Sequence, residues 1–182
     1  MFKNNNLVKI DLCHSLTLKG LIYSHKPTRV LELGLGGAQS LDAILDALSY
    51  NQQKYEYTLV DNWYDYGYKM PSGVREMYQD KVNIVTSSEE NFVFSTNQKY
   101  DFIFSDADHL NAQKWFEHVY DNLLNDDGIL AYHDINLIED GCFNNLREIY
   151  YTCQKRNLKF KLFNKNSLPD ERCQRGLLVI FK

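Results

Sequence analysis

Apolar residues collect in short runs along this chain, at Arg29–Leu33, Tyr57–Val60, Val82–Val85, Tyr100–Phe104, Gly128–Tyr132 and Leu177–Phe181. Continuous apolar runs this short, bounded by polar residues, predict strands buried on both faces. Between them the period changes. Ser40–Ser49 places Leu41, Ile44, Leu45 and Leu48 on one helical face, and Asn111–Leu124 does the same with Trp115, Val119 and Leu123. Alternation of strand and helix predicts an α/β fold, a Rossmann-like doubly wound sheet that is mostly parallel with helices on both faces. The last third reads differently: a helix over Phe143–Cys153, a strand over Leu158–Phe163, a polar loop, then Leu177–Phe181. An antiparallel hairpin that completes seven strands accounts for this order. Residues 1–28 read as an N-terminal helical segment before a core over 29–182, and no repeat or linker divides the chain, so one domain is expected.

Composition narrows the class. The 182 residues, 44% hydrophobic and 24% charged, suffice for one sizeable core. A formal charge of -4 disfavours nucleic acid as a partner, because phosphate binding needs a basic face. Cys13, Cys142, Cys153 and Cys173 have no paired spacing, so neither a zinc knuckle nor a disulfide framework is indicated and reduced thiols in a cytoplasmic protein are expected. Met1–Asn6 lacks the apolar core of a signal peptide, and no stretch of roughly 18 apolar residues suggests a membrane span.

Candidate chemistry lies at the ends of the predicted strands, where open α/β sheets bind ligands. Val30–Leu33 runs into Gly34-Leu35-Gly36-Gly37, and Ser40 then opens a helix, so backbone can approach a ligand at a helix N-terminus. A nicotinamide fingerprint would need a third glycine at Gln39 and an acidic residue closer than Asp61, which disfavours that cofactor. Two acidic tips follow downstream, Asp106-Ala107-Asp108-His109 and His133-Asp134, at the ends of strands expected to be neighbours. Oxygen and nitrogen ligands converging there suit a divalent cation: magnesium first, with manganese, iron or zinc also allowed by the imidazole. Asp108 also suits a helix cap before Asn111.

From Lys19 onward the chain resembles the class I S-adenosylmethionine-dependent methyltransferases. The residues that carry the resemblance are Val30-Leu31-Glu32-Leu33-Gly34-Leu35-Gly36 for the glycine motif, Leu59-Val60-Asp61 for the second acidic strand end, and Tyr100–Asp106 for the fourth strand. Ala38 stands where the family often has a further glycine. The resemblance implies that Glu32, Gly34 and Gly36 serve the methionine part of the cofactor and Asp61 its ribose, with Ser40 and Asp106 beside it. Trp63 then stands where it could stack on adenine, and Ser88 where the family contacts the base. The two acidic tips resemble those of the metal-dependent O-methyltransferases that act on sugar, macrolide or catechol-type hydroxyls. This implies Asp106, His133 and Asp134 as ligands of magnesium or manganese, His109 as general base with Asp106 in the catalytic group, and a small hydroxylated molecule as acceptor. His133 stands where many relatives have an acidic residue, so it is either a ligand or an orienter of one. A homodimer is compatible with the resemblance.

Two other readings compete, a metal-independent N-methyltransferase and a catalytically silent cofactor-binding module. Specificity is expected from Asp65–Val74, Leu137–Gly141 and Asn164–Arg175, where Arg172 and Arg175 could hold an anionic group. Tyr64, Tyr66 and Tyr68 alternate in an aromatic segment that suits either a pocket wall or packing on the sheet. His14, His25 and His118 have no acidic or histidine partner at convincing spacing, and are read as structural or surface residues.

Overall fold

A computed structural model describes residues 12–35, 38–64, 67–135, 145–163 and 176–182. Seven strands form one sheet: β1 (Arg29–Leu33), β2 (Glu56–Asp61), β3 (Asn83–Thr86), β4 (Tyr100–Ser105), β5 (Leu124–His133), β6 (Lys159–Phe163) and β7 (Leu177–Phe181), in the order β3-β2-β1-β4-β5-β7-β6. The first five are parallel, while β7 runs antiparallel to both β5 and β6. The expected mostly parallel sheet with an antiparallel end is therefore present, with β7 inserted between β5 and β6. The order reverses between β1 and β4, which opens a crevice at the carboxyl ends of those strands.

Alternate residues of each strand enter two separate cores, as the period of a strand requires. Val30, Leu59, Phe102, Phe104 and Ala131 face helices α1 (Leu12–His25), α2 (Gln39–Asn51) and α3 (Val74–Tyr78). Leu31, Leu33, Ile103, Leu130 and Tyr132 face α4 (Glu89–Ser95), α5 (Phe116–His118) and α6 (Arg147–Lys155). Burial on both faces explains why these strands read as unbroken apolar runs.

Two expected elements differ in detail. The helix expected over Asn111–Leu124 is broken into a 3-10 turn at Ala112–Lys114, the short α5, and a π turn at Val119–Leu123. Ala112, Trp115, Phe116, Val119, Tyr120 and Leu123 are all buried at the spacing of one α-helical face, so the apolar pattern does not register these breaks, and the π turn carries Val119, Tyr120 and Leu123. Strand β5 starts at Leu124 instead of Gly128, with a register shift opposite Tyr100–Phe102. Of the helix expected over Phe143–Cys153, the part at 147–155 is seen and residues 143–144 lie outside the described residues. No helix among the described residues is long and apolar enough to cross a membrane.

Candidate active site

Parallel pairing of β4 with β5 sets Ser105 opposite Tyr132, so Asp106 and His133 occupy matching places at two neighbouring strand ends. Asp134 follows with a φ of 58°, a left-handed conformation rare for a residue with a side chain. One donor atom from each of Asp106, His133 and Asp134 lies within 4.8 Å of the others. His133 Nδ1 is 3.4 Å from Asp106 Oδ1 and 3.1 Å from Asp134 Oδ1, while His109 Nε2 is 3.3 Å from Asp106 Oδ1 and 3.7 Å from Asp134 Oδ2. The His133 and Asp134 side chains are 0% and 4% exposed, whereas Asp106 and His109 are 23% and 30% exposed, so the cluster opens to solvent on their side.

Charge governs this group. Burial disfavours the His133 cation, but the Asp106 and Asp134 carboxylates outweigh it and push the imidazole up to about 10. Burial would raise the Asp106 carboxyl, yet His133 and His109 hold it well below the usual carboxylate range. Burial also opposes a charge on His109, and Asp106 beside it wins, raising its pKa. The donor set suits a divalent cation: two carboxylates, and an imidazole whose buried Nδ1 makes no hydrogen bond despite the two oxygens near it.

The turn after β1 is organised by buried hydrogen bonds. Glu32 is fully buried and accepts from Ser40 Oγ at 2.5 Å and from the Tyr57 hydroxyl, which ties the start of α2 to β1. Burial pushes its carboxyl up to about 8. Gly34 has a φ of 89°, and a Cβ there would meet the backbone oxygen of Asp106 at 2.6 Å. Glycine at this position thus admits the neighbouring strand end. The glycine pattern in the sequence predicts another purpose, closeness to a ligand. Gly36 and Gly37 lie outside the described residues. The Asp61 carboxylate accepts from the amides of Leu35, at 2.7 Å, and Trp63, at 2.5 Å, linking the loops after β1 and β2.

Other expected residues have structural partners. Trp63 is 1% exposed in the core, with its indole N–H donating to Thr86 Oγ1 at 3.0 Å. Ser88 caps α4, accepting from the Asn91 amide at 3.2 Å. Asp108 turns to its own loop, where Oδ1 accepts from the amides of Leu110 and Asn111, both at 3.1 Å. His118 Nε2 lies 3.0 Å from the Val93 carbonyl. Leu137–Gly141 and all of Asn164–Arg175, with Arg172 and Arg175, lie outside the described residues, as do Asp65 and Tyr66.

Two residues at the site carry no signal in the sequence. Glu89 is buried on α4, where it accepts from Ser105 Oγ at 3.1 Å and the Asp108 amide at 3.2 Å, and so holds the loop that carries Asp106. His14 is a correction: it is 1% exposed and its Nδ1 lies 3.0 Å from His133 Nε2, a partner 119 residues away that spacing in the sequence could not suggest. A cavity of about 510 Å³ lined by residues such as Tyr55, Arg75, Lys81 and Gln98 opens at the amino ends of β2 and β3, the end of the sheet opposite this cluster.

A reversed parallel sheet with a glycine turn after β1 and acidic ends on β2, β4 and β5 is the architecture of a class I methyltransferase, and residues 31–135 match a family described as a methyltransferase domain. The chain belongs to that family. No curated protein matches the sequence directly. Among solved structures, the O-methyltransferase from Bacillus cereus in complex with SAH aligns at a TM-score of 0.74 and 15% identity, covering 96% of this chain and 83% of that one. TomG, an O-methyltransferase from Streptomyces achromogenes involved in tomaymycin synthesis and in complex with SAM, aligns at 0.72 and 12%, covering 95% and 81%. The SAH-bound methyltransferase PaMTH1 of Podospora anserina aligns at 0.62 and 16%, covering 96% and 80%. At these identities the likeness establishes the fold.

Proposed function

We propose that this protein is a cytoplasmic S-adenosylmethionine-dependent O-methyltransferase acting on a hydroxyl of a small molecule, with a divalent cation held by Asp106, His133 and Asp134. The observation that carries this reading is the approach of those three donor sets to within 4.8 Å at the crevice where the sheet order reverses. The names of the solved relatives, two of them O-methyltransferases bound to SAH or SAM, support the choice of cofactor and acceptor atom. Two carboxylates suit magnesium, and the imidazole among them also admits manganese.

The cofactor supplies an electrophilic methyl, and the cation eases loss of a proton from the acceptor hydroxyl. The chain's own residues do the rest. Asp61, which ends β2 and bridges the first two loops beside the glycine turn, is the residue we assign to the ribose hydroxyls. Glu32 and Ser40 act by holding the turn and the start of α2 in place. His109 stands at the exposed side of the cluster, where it can take the acceptor's proton and pass it to solvent. Asp106, next to both the glycine turn and His109, orients the base. Trp63 and Ser88 are assigned to packing and capping.

Titration calorimetry with the demethylated cofactor tests the class: binding is expected, and its absence would remove the assignment. Assays with phenolic and sugar hydroxyl acceptors should lose activity on adding EDTA and recover it with Mn²⁺. Asp106→Asn and Asp134→Asn should each lower kcat by about 100-fold or more, on the scale of losing one group that acts at the transition state. Full activity in EDTA with an amine acceptor would support the N-methyltransferase reading instead.

A further inference from the structure

The rings of His14 and His133 meet edge to face, 78° apart with centroids separated by 5.1 Å. Both residues are buried, and 3.0 Å between His14 Nδ1 and His133 Nε2 is the length of a hydrogen bond. Two ring nitrogens facing each other at that distance must share one proton, because two N–H groups would repel and two lone pairs would leave buried atoms unsatisfied. The proton has two places to be. On His14, it makes His133 Nε2 an acceptor, and a neutral His133 must then carry its own proton on Nδ1, the atom that faces Asp106 and Asp134. On His133 Nε2, it leaves Nδ1 of the neutral ring, the form that holds an ion, with a lone pair aimed between the two carboxylates. Only the second arrangement is compatible with an ion there, since a ligating nitrogen must be deprotonated.

We propose that His14 is a positioning residue of the cation site: its Nδ1 accepts the Nε2–H of His133 and fixes the tautomer in which Nδ1 of His133 is the ligand atom. The proposal rests on the cation reading given above. Ligating histidines commonly hand their second N–H to a carboxylate or a carbonyl. A neutral imidazole in that place adds no charge, so two carboxylates and a divalent ion sum to zero in a pocket where His133 and Asp134 are buried. His14 belongs to α1, outside residues 31–135 that match the family.

Titration of the whole protein with Mn²⁺, following the free ion by electron paramagnetic resonance, tests this. His14→Leu keeps the volume and removes the acceptor, and should weaken Mn²⁺ binding by about 10–100-fold. His14→Asn, whose Oδ1 can replace Nδ1 as acceptor, should recover most of the loss. Equal affinity in His14→Leu and the wild type would overturn the role of His14 and leave the cation reading intact; no Mn²⁺ binding by the wild type would overturn both. Should His14→Leu fail to fold, nitrogen-15 NMR of the Zn²⁺-loaded wild type decides: an Nε2–H signal for His133 is expected, and an Nδ1–H signal would overturn the proposal.

Discussion

Gly34 joins two parts of the site that are 72 residues apart in sequence, because its missing side chain lets the backbone of Asp106 pass. Gly34→Ala places a methyl against a carbonyl oxygen at 2.6 Å with φ at 89°, and neither atom belongs to a flexible side chain. It should cost roughly 2–4 kcal/mol in urea unfolding, combining a left-handed alanine with overpacking. Cation affinity should fall as well, since Asp106 must move. The ligand candidates Asp106, His133 and Asp134 were legible in the sequence because each ends an apolar run, and strand ends are brought together by pairing alone. Glu89, Tyr57 and His14 were not legible. Each meets its partner by packing a helix or a neighbouring strand onto the sheet, and no local pattern encodes which of several buried positions will carry the polar atom.

At the level of elements, the central strands β1, β4, β5 and β7 were readable because burial on both sides makes them largely apolar, whereas β3 and β6 at the sheet edges are half exposed. The segment 112–123 reads as one helix because its buried residues keep the spacing of one α-helical face across the breaks in the backbone. Helix α4 links local structure to the site: its cap, Ser88, stands beside Glu89, which grips the loop of Asp106. Ser88→Ala should cost about 1 kcal/mol, the usual loss of a serine cap, measured by thermal unfolding. Affinity for the demethylated cofactor should stay unchanged. A large loss of that affinity, with stability intact, would return Ser88 to the cofactor.

For the whole molecule, the buried acids contribute to how stability varies with pH, alongside His133, whose raised pKa acts in the same direction above pH 6.5. Burial raises Glu32 from 4.5 to about 8 and Glu89 from 4.5 to about 7, so the folded protein binds protons that the unfolded chain releases. Stability from these groups is full below about pH 4.5 and is lost as pH rises through the folded values. The melting temperature in EDTA should therefore fall between pH 5 and pH 8, and the double variant Glu32→Gln, Glu89→Gln should flatten that slope. A slope unchanged in the variant would remove both acids as its origin. The pairing of β4 with β5 has a consequence of another kind. Hydrogen-bonded strands lie about 4.8 Å apart whatever their side chains, and two of the three candidate ligands leave matching positions on such a pair. The bite of the ligand set is thus gauged chiefly by main-chain hydrogen bonds that run up to Ser105 and Tyr132, one residue short of the ligands. Such a site is shaped before any ion arrives, and filling it should leave the strand ends where they stand while quieting chiefly the motion of His109.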